Sequence, residues 1–220
     1  MQTPPDWIEL GRRGAFTTTQ VAVLLGVEPT KVASWLSGNP PLIDTDLPSV
    51  AGRIALSFDG LVEARAVNYL LAAGVPRRRL SKAMKAMRER WADPHPLARE
   101  RTLTTDGSAV LELNGENIID LLTDAYLHPE VLRPALAGRV VFKSGRAAWL
   151  EPYPDEMPLV RIDPSRAFGR PIVVEQETAI PTETLANSAL VDGLAEAADW
   201  FGVTGEAVDQ AVAFEQRIAA

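Results

Sequence analysis

The 220-residue chain reads as mainly α-helical with short β-hairpins, an α+β fold. An N-terminal winged helix-turn-helix comes first, then a small middle α/β segment, then a C-terminal helical unit like a second helix-turn-helix. Three observations predict this. Two short helical stretches between Thr17 and Leu36 flank Gly26-Val27. Pairs of strand-like runs between 101 and 150 flank turn dipeptides. Helical spacing returns after Pro181, around a second glycine, Gly202. The expected segments are 1–95, 96–157 and 158–220.

The first helix starts at Thr17, whose spacing to Gln20 is that of a capping box, and runs through Leu25. Gly26-Val27 makes the turn. Pro29 suits the first turn of a second helix over Thr30–Leu36, which stops at Ser37-Gly38. Asn39–Leu47 is a loop rich in Pro and Asp, and Arg53–Phe58 is a short strand or a wing. Ser57 caps a third helix over Phe58–Ala73. Pro76 opens a fourth, to about Trp91, with Leu80, Met84, Met87 and Trp91 on one face and Arg78, Lys82 and Lys85 on the other. Ala92-Asp93-Pro94-His95-Pro96 breaks it.

In the middle segment, runs over 101–105 and 109–113 flank Asp106-Gly107, and runs over 139–143 and 146–150 flank Ser144-Gly145; both read as hairpins. Asn117–Leu127 reads as a helix. Pro152–Pro158, with three prolines, reads as a linker. A short strand follows near Leu159–Ile162, then helices begin after Pro181, near Leu194 and near Gly205.

Composition narrows the function. With no cysteine, disulfides and thiolate metal sites are excluded, which suits a reducing cytoplasm. Met1–Leu10 has no signal-peptide pattern, and no apolar run is long enough to cross a bilayer. The net charge of −7 is unevenly spread. Residues 1–95 carry twelve Lys/Arg against nine Asp/Glu, a net of +3; residues 96–150 have a net of −1; residues 151–220 have four basic against thirteen acidic residues, a net of −9. The first part can approach phosphates, and the last is repelled by them.

A helix-turn-helix packs two short helices around a tight turn. Val21, Ala22, Leu25, Val27, Val32 and Trp35 have the offsets that packing needs. The second helix is then the recognition helix, with Thr30, Lys31 and Ser34 toward base edges. Thr18, Thr19 and Gln20 open the first helix, where they can donate to phosphate or simply cap. Arg53 lies at the expected wing. Arg77, Arg78 and Arg79 sit at a helix start, where the macrodipole disfavours cations, so they need an anionic partner such as phosphate, or else form a solvated basic face. The offsets recur at Ala197, Ala198, Phe201, Gly202, Val203, Val208 and Ala211, where Glu196, Asp199, Glu206 and Asp209 take the exposed positions. That acidic copy is suited to a protein partner, either a toxin or a second copy of the chain, or else it is a plain helical hairpin.

Phe16-Thr17, Ala22, Leu25-Gly26-Val27, Val32, Trp35, Leu56-Ser57-Phe58, Leu61-Val62-Glu63 and Ala73-Gly74-Val75 together resemble the MerR-like winged helix-turn-helix. More closely, they resemble the N-terminal domain of a VapB-type antitoxin family. Further along, His95-Pro96, Thr105-Asp106-Gly107, Trp149-Leu150-Glu151-Pro152, Ile162-Asp163-Pro164, Phe168-Gly169-Arg170-Pro171 and Ile180-Pro181 are similar to segments of such antitoxins, including a small C-terminal domain of unknown function. Where that family often carries Gly-Thr-Arg-Ile-Pro, this chain has the longer Val174–Pro181, without that glycine and arginine. The resemblance implies a transcriptional autorepressor that binds operator DNA and neutralises a PIN-type ribonuclease toxin; from the residues themselves no cofactor or metal is expected. Arg161, Arg166, Arg170 and Arg217 are its toxin-binding candidates. Palindromic operators imply a homodimer.

The competing reading is a MerR-like effector-sensing regulator without a toxin; Pro94 and Pro96 cut short the long dimerisation helix such a protein uses. An enzyme is not expected. His95 and His128 stand far apart beside prolines, where histidines commonly fill turns, and no phosphate loop or catalytic triad pattern occurs.

Overall fold

The computed structural model describes residues 13–48, 54–100 and 139–219, together with the backbone of four strands between 103 and 127. The chain divides into two compact units. One spans Phe16–Ala137 and takes in Phe142–Ala147. The other comprises Met1–Ala15, Gly138–Val141 and Ala148–Ala220.

The N-terminal unit opens with β1 (Phe16–Thr17), α1 (Thr18–Leu25) and α2 (Pro29–Leu36). The capping box is present: Thr17 Oγ1 accepts from the Gln20 amide, and the Gln20 side chain accepts from the Thr17 amide. At the end of α1, Gly26 is left-handed at φ 63°. Its N–H donates to Val23 O and the Val27 N–H to Ala22 O, the paired bonds of a Schellman turn. Strand β2 (Ala55–Leu56) pairs antiparallel with β1, Phe16 opposite Leu56. The expected strand at 53–58 is thus a two-residue ribbon, while Arg53 itself lies outside the described residues. Next come α3 (Phe58–Ala72), capped by Ser57, and α4 (Arg77–Trp91). Leu80, Met84 and Met87 of α4 are buried as their spacing predicts.

Four strands follow, in a sheet of order β3-β4-β5-β6: β3 (Leu103–Thr104), β4 (Leu111–Asn114), β5 (Asn117–Asp120) and β6 (Tyr126–Leu127). The helix expected over Asn117–Leu127 is therefore wrong. Leu111–Asn114 pairs antiparallel with Asn117–Asp120, leaving Gly115 and Glu116 between the two strands. Asn114-Gly115 is a strong hairpin dipeptide, and two adjacent β-branched isoleucines, Ile118 and Ile119, favour a strand over a helix. Strands β3 and β4 are the pair expected there; Asp106-Gly107 and His128 lie outside the described residues.

A five-stranded sheet of order β11-β10-β9-β8-β7 follows. Strands β7 (Val140–Lys143) and β8 (Arg146–Leu150) form the expected hairpin, with Ser144 at φ 51° and Gly145 at φ 77° as in a type I′ turn. Pro152–Pro158 is no linker. Pro152 and Met157 are buried, and Tyr153 O accepts from the Glu156 and Met157 amides, so the prolines shape a packed turn into β9 (Val160–Ile162). Strands β10 (Pro171–Glu175) and β11 (Thr178–Pro181) form a further hairpin, which absorbs the altered stretch Val174–Pro181. The last part, expected to be helical with one strand, thus has a sheet beneath its helices. The hairpin carried little sequence signal because Pro171–Val174 is an unbroken apolar run, with Ile172 and Val173 both buried, and lacks the alternation that marks a half-exposed strand.

Helices α5 (Thr182–Asp192), α6 (Leu194–Phe201) and α7 (Gly205–Ala219) begin where the sequence predicts. α7 packs on β9 and β10, and its Phe214 is buried in tilted contact with Tyr153, ring centroids 6.1 Å apart.

Candidate nucleic-acid interface

The α1–α2 turn decides which way α2 faces. Val32 is fully buried and Trp35 is 1 % exposed, so α2 turns that face inward. The opposite face carries Thr30 and Lys31, both exposed. Ser34 is half-buried at the next turn, where its hydroxyl donates to Lys31 O at 2.7 Å. On α1, Thr19 and Gln20 are exposed and Thr18 is half-buried. Gln20 is committed to the capping box, so the capping reading accounts for it.

Two contacts join α2 to other elements. Lys31 Nζ donates to Asn68 Oδ1 of α3 at 3.0 Å and lies 5.8 Å from the centre of the Trp35 ring. Arg77, the first residue of α4, reaches the far end of α2, donating to Ser34 Oγ at 3.3 Å, to Ser34 O, and to Ser37 O at 3.4 Å. The cation unfavourably placed at the start of α4 is therefore compensated by the carbonyl end of α2, with no need for phosphate. Arg78 remains exposed, and Arg79 is half-buried. Thr30, Lys31, Ser34 and Arg77 are thus brought together on one helix and its C-terminal clamp. Asn68, which positions Lys31, carried no signal in the sequence, being one asparagine in the middle of a helix.

A charged cluster lies behind this face. Glu63 of α3 is fully buried, with Oε2 3.1 Å from His95 Nδ1 and 3.4 Å from Arg88 Nη2. His95 Nε2 is 3.3 Å from Asp46, and Arg88 Nε is 3.1 Å from Asp44. Arg88 also donates to Pro41 O and Leu42 O at 3.1 and 2.7 Å. The cluster pins the loop after α2 against α3 and α4. Burial opposes a charged imidazole, but hydrogen bonds and charge from Asp46 and Glu63 outweigh it and push the His95 pKa up to about 9. Burial likewise raises the Glu63 pKa, and His95, Arg88 and the Leu97 amide pull it back only in part. The histidine read as a turn filler is the centre of a buried charged cluster that holds the loop. Glu63 inside the apolar run Leu61–Ala64 was its one sequence signal.

The C-terminal arginines are less open. Arg161 is half-buried, 3.4 Å from Glu151 and stacked at 5.3 Å on Trp149. Arg217 donates to Glu156 at 2.6 Å and lies 4.4 Å from the centre of the Tyr153 ring. Arg166 and Arg170 pair with Asp163 and Glu183 at 3.8 and 4.0 Å, and both are substantially exposed. They flank Phe168, itself 74 % exposed, and Ala167, Phe168 and Gly169 all have positive φ.

Turn geometry repeats between the units. Gly202 is left-handed at φ 65°, and the Val203 N–H donates to Ala198 O at 3.1 Å, matching Val27 and Ala22. Among the described residues no group of acids and histidines could hold a metal ion, and no helix is long and apolar enough to cross a membrane.

Fold and site together define an α+β protein with an N-terminal helix-turn-helix and, in its C-terminal unit, helices resting on a five-stranded sheet. No family model matches the chain, and no curated protein does. Among solved structures it is similar to the crystal structure of Rv2018 from Mycobacterium tuberculosis, at 20 % identity and a TM-score of 0.63, over 90 % of this chain and 96 % of that one. The likeness shows a shared fold.

Proposed function

We propose that the chain is an antitoxin and transcriptional autorepressor, binding operator DNA through α2 and neutralising a PIN-type ribonuclease toxin through its C-terminal unit. The observation that carries the DNA half is the orientation of α2, with Val32 and Trp35 inward and Thr30 and Lys31 outward. In a major groove those exposed N-terminal residues meet base edges and phosphates. Arg77 and Ser34 hold the other end of α2, and Arg78 adds charge beside it. The toxin half is supported by the charge of residues 151–220, which repels nucleic acid and suits a basic, RNA-binding partner. Within the arginine set, Arg166 and Arg170 are the most exposed.

The test is a gel shift of the full chain on DNA from upstream of its own coding sequence, with unrelated DNA as competitor. Thr30→Ala with Lys31→Ala is expected to abolish the specific shift and leave the melting temperature unchanged. A specific shift that survives the double substitution overturns the assignment of α2.

A further inference from the structure

Three large apolar side chains face solvent at the junction of α5 and α6, and a fourth does so at the far end of α6: Leu190 is 85 % exposed, Val191 81 %, Leu194 45 % and Trp200 83 %. The junction is one residue, Gly193, at φ 100°. The nearest neighbour of a Cβ built there is the movable Glu196 carboxylate at 2.9 Å, so it is the positive φ that favours glycine at this corner. It ends α5 just after Leu190 and Val191 and starts α6 on Leu194. At 100° per residue, Trp200 stands about 40° around α6 from Glu196. Asp199 is also exposed on that helix. The buried side of α6 is Ala197 and Ala198, so Trp200 contributes nothing to the core.

An indole left in water costs burial energy that a monomer has every reason to recover, and such residues mark interaction surfaces. Charge selects the occupant. A second copy docking through the same surface would bring one acidic patch against another, which like-charge repulsion opposes. Anionic lipid and nucleic acid are repelled for the same reason. A basic protein surface with an apolar hollow is attracted by the rim and filled by the indole.

We infer that the exposed side of α6 and the α5–α6 corner before it, with Trp200 as anchor and Glu196 and Asp199 as rim, is the docking surface for a basic protein partner. This rests on the toxin reading above and places the contact here instead of at the arginines. It also gives the acidic copy of the helix-turn-helix a use: the scaffold that offers Thr30 and Lys31 in one unit offers acids and an indole in the other.

Isothermal titration of the full chain with the protein encoded by the adjacent reading frame tests it, at about 0.05 M and 0.3 M salt. Trp200→Ala with Leu190→Ala is expected to weaken binding about 30-fold or more, as an anchor residue does. Glu196→Lys with Asp199→Lys is expected to weaken it about tenfold at low salt and to flatten its salt dependence. These are exposed positions, so melting temperatures stay within a degree or two of the parent, which confirms intact variants. Arg166→Ala with Arg170→Ala is expected to change affinity less than about threefold. Normal binding by both corner variants overturns the inference and leaves the toxin reading standing; so does loss of binding only in the arginine variant. No binding by the unmodified chain overturns both. A dimer that becomes monomeric on Trp200→Ala, with partner affinity unchanged, assigns the corner to a second copy and overturns the inference.

Discussion

Lys31 is held by two neutral partners, Asn68 and the Trp35 ring, and neither neutralises its charge. It is positioned yet still cationic, the condition for a phosphate contact. Lys31→Ala is therefore expected to reduce the slope of log affinity against log salt by about 1, read by fluorescence anisotropy on operator DNA. An unchanged slope would mean that the lysine meets no phosphate. Trp35 is a different case: it is buried behind the same helix, and Trp35→Ala is expected to cost about 3–5 kcal/mol in denaturant unfolding of the N-terminal unit. His95 sets a pH dependence. Its proton is held up to about pH 9 in the folded chain, against about 6.5 in the unfolded one. The stabilisation is thus fully present below about pH 6.5 and is lost as pH rises through 9, on the order of 3 kcal/mol. Chemical denaturation between pH 6 and 9.5 should show the decline, and His95→Gln should flatten it. A pH-independent parent would mean the imidazole is neutral in the fold.

At the scale of the element, the two turns matter most. Gly26 has open space around its missing Cβ, so Gly26→Ala meets no clash and its cost is backbone strain at φ 63°, about 1–2 kcal/mol. Gly202→Ala should cost the same, for the same reason. A neutral effect at either position, measured by thermal unfolding, would show that the turn relaxes without a left-handed residue. Capping residues were legible because their chemistry is local: Thr17, Gln20 and Ser57 act within three residues of themselves. The β5–β6 region was misread for a related reason. Ile118, Ile119, Leu121 and Leu122 have helical spacing in the sequence, whereas Ile118 and Ile119 pair within the sheet, and the signal for the strand is Asn114-Gly115 just upstream.

For the molecule as a whole, two units with separate cores predict two unfolding transitions. In calorimetry, Trp35→Ala should lower one and Phe214→Ala the other, each leaving its counterpart in place. A single transition displaced by both substitutions would show one cooperative body. The charge gradient divides the chain in the same sense, with the basic share before residue 95 and the acidic share after 150.

The starts of α1 to α7, both glycine turns and the charge division are properties of neighbouring residues, and the sequence alone determined them. Thr30 and Lys31 could be named as outward-facing because periodicity puts Val32 and Trp35 opposite. The tertiary structure decided what depends on distant pairs: Arg77 clamping α2 across forty-odd residues of chain, Asn68 meeting Lys31, Glu63 meeting His95, and the β10–β11 hairpin joining β9 beneath the last helices. Those contacts arise from burial and charge pairing between elements far apart along the chain, and no local pattern encodes which partner will be near.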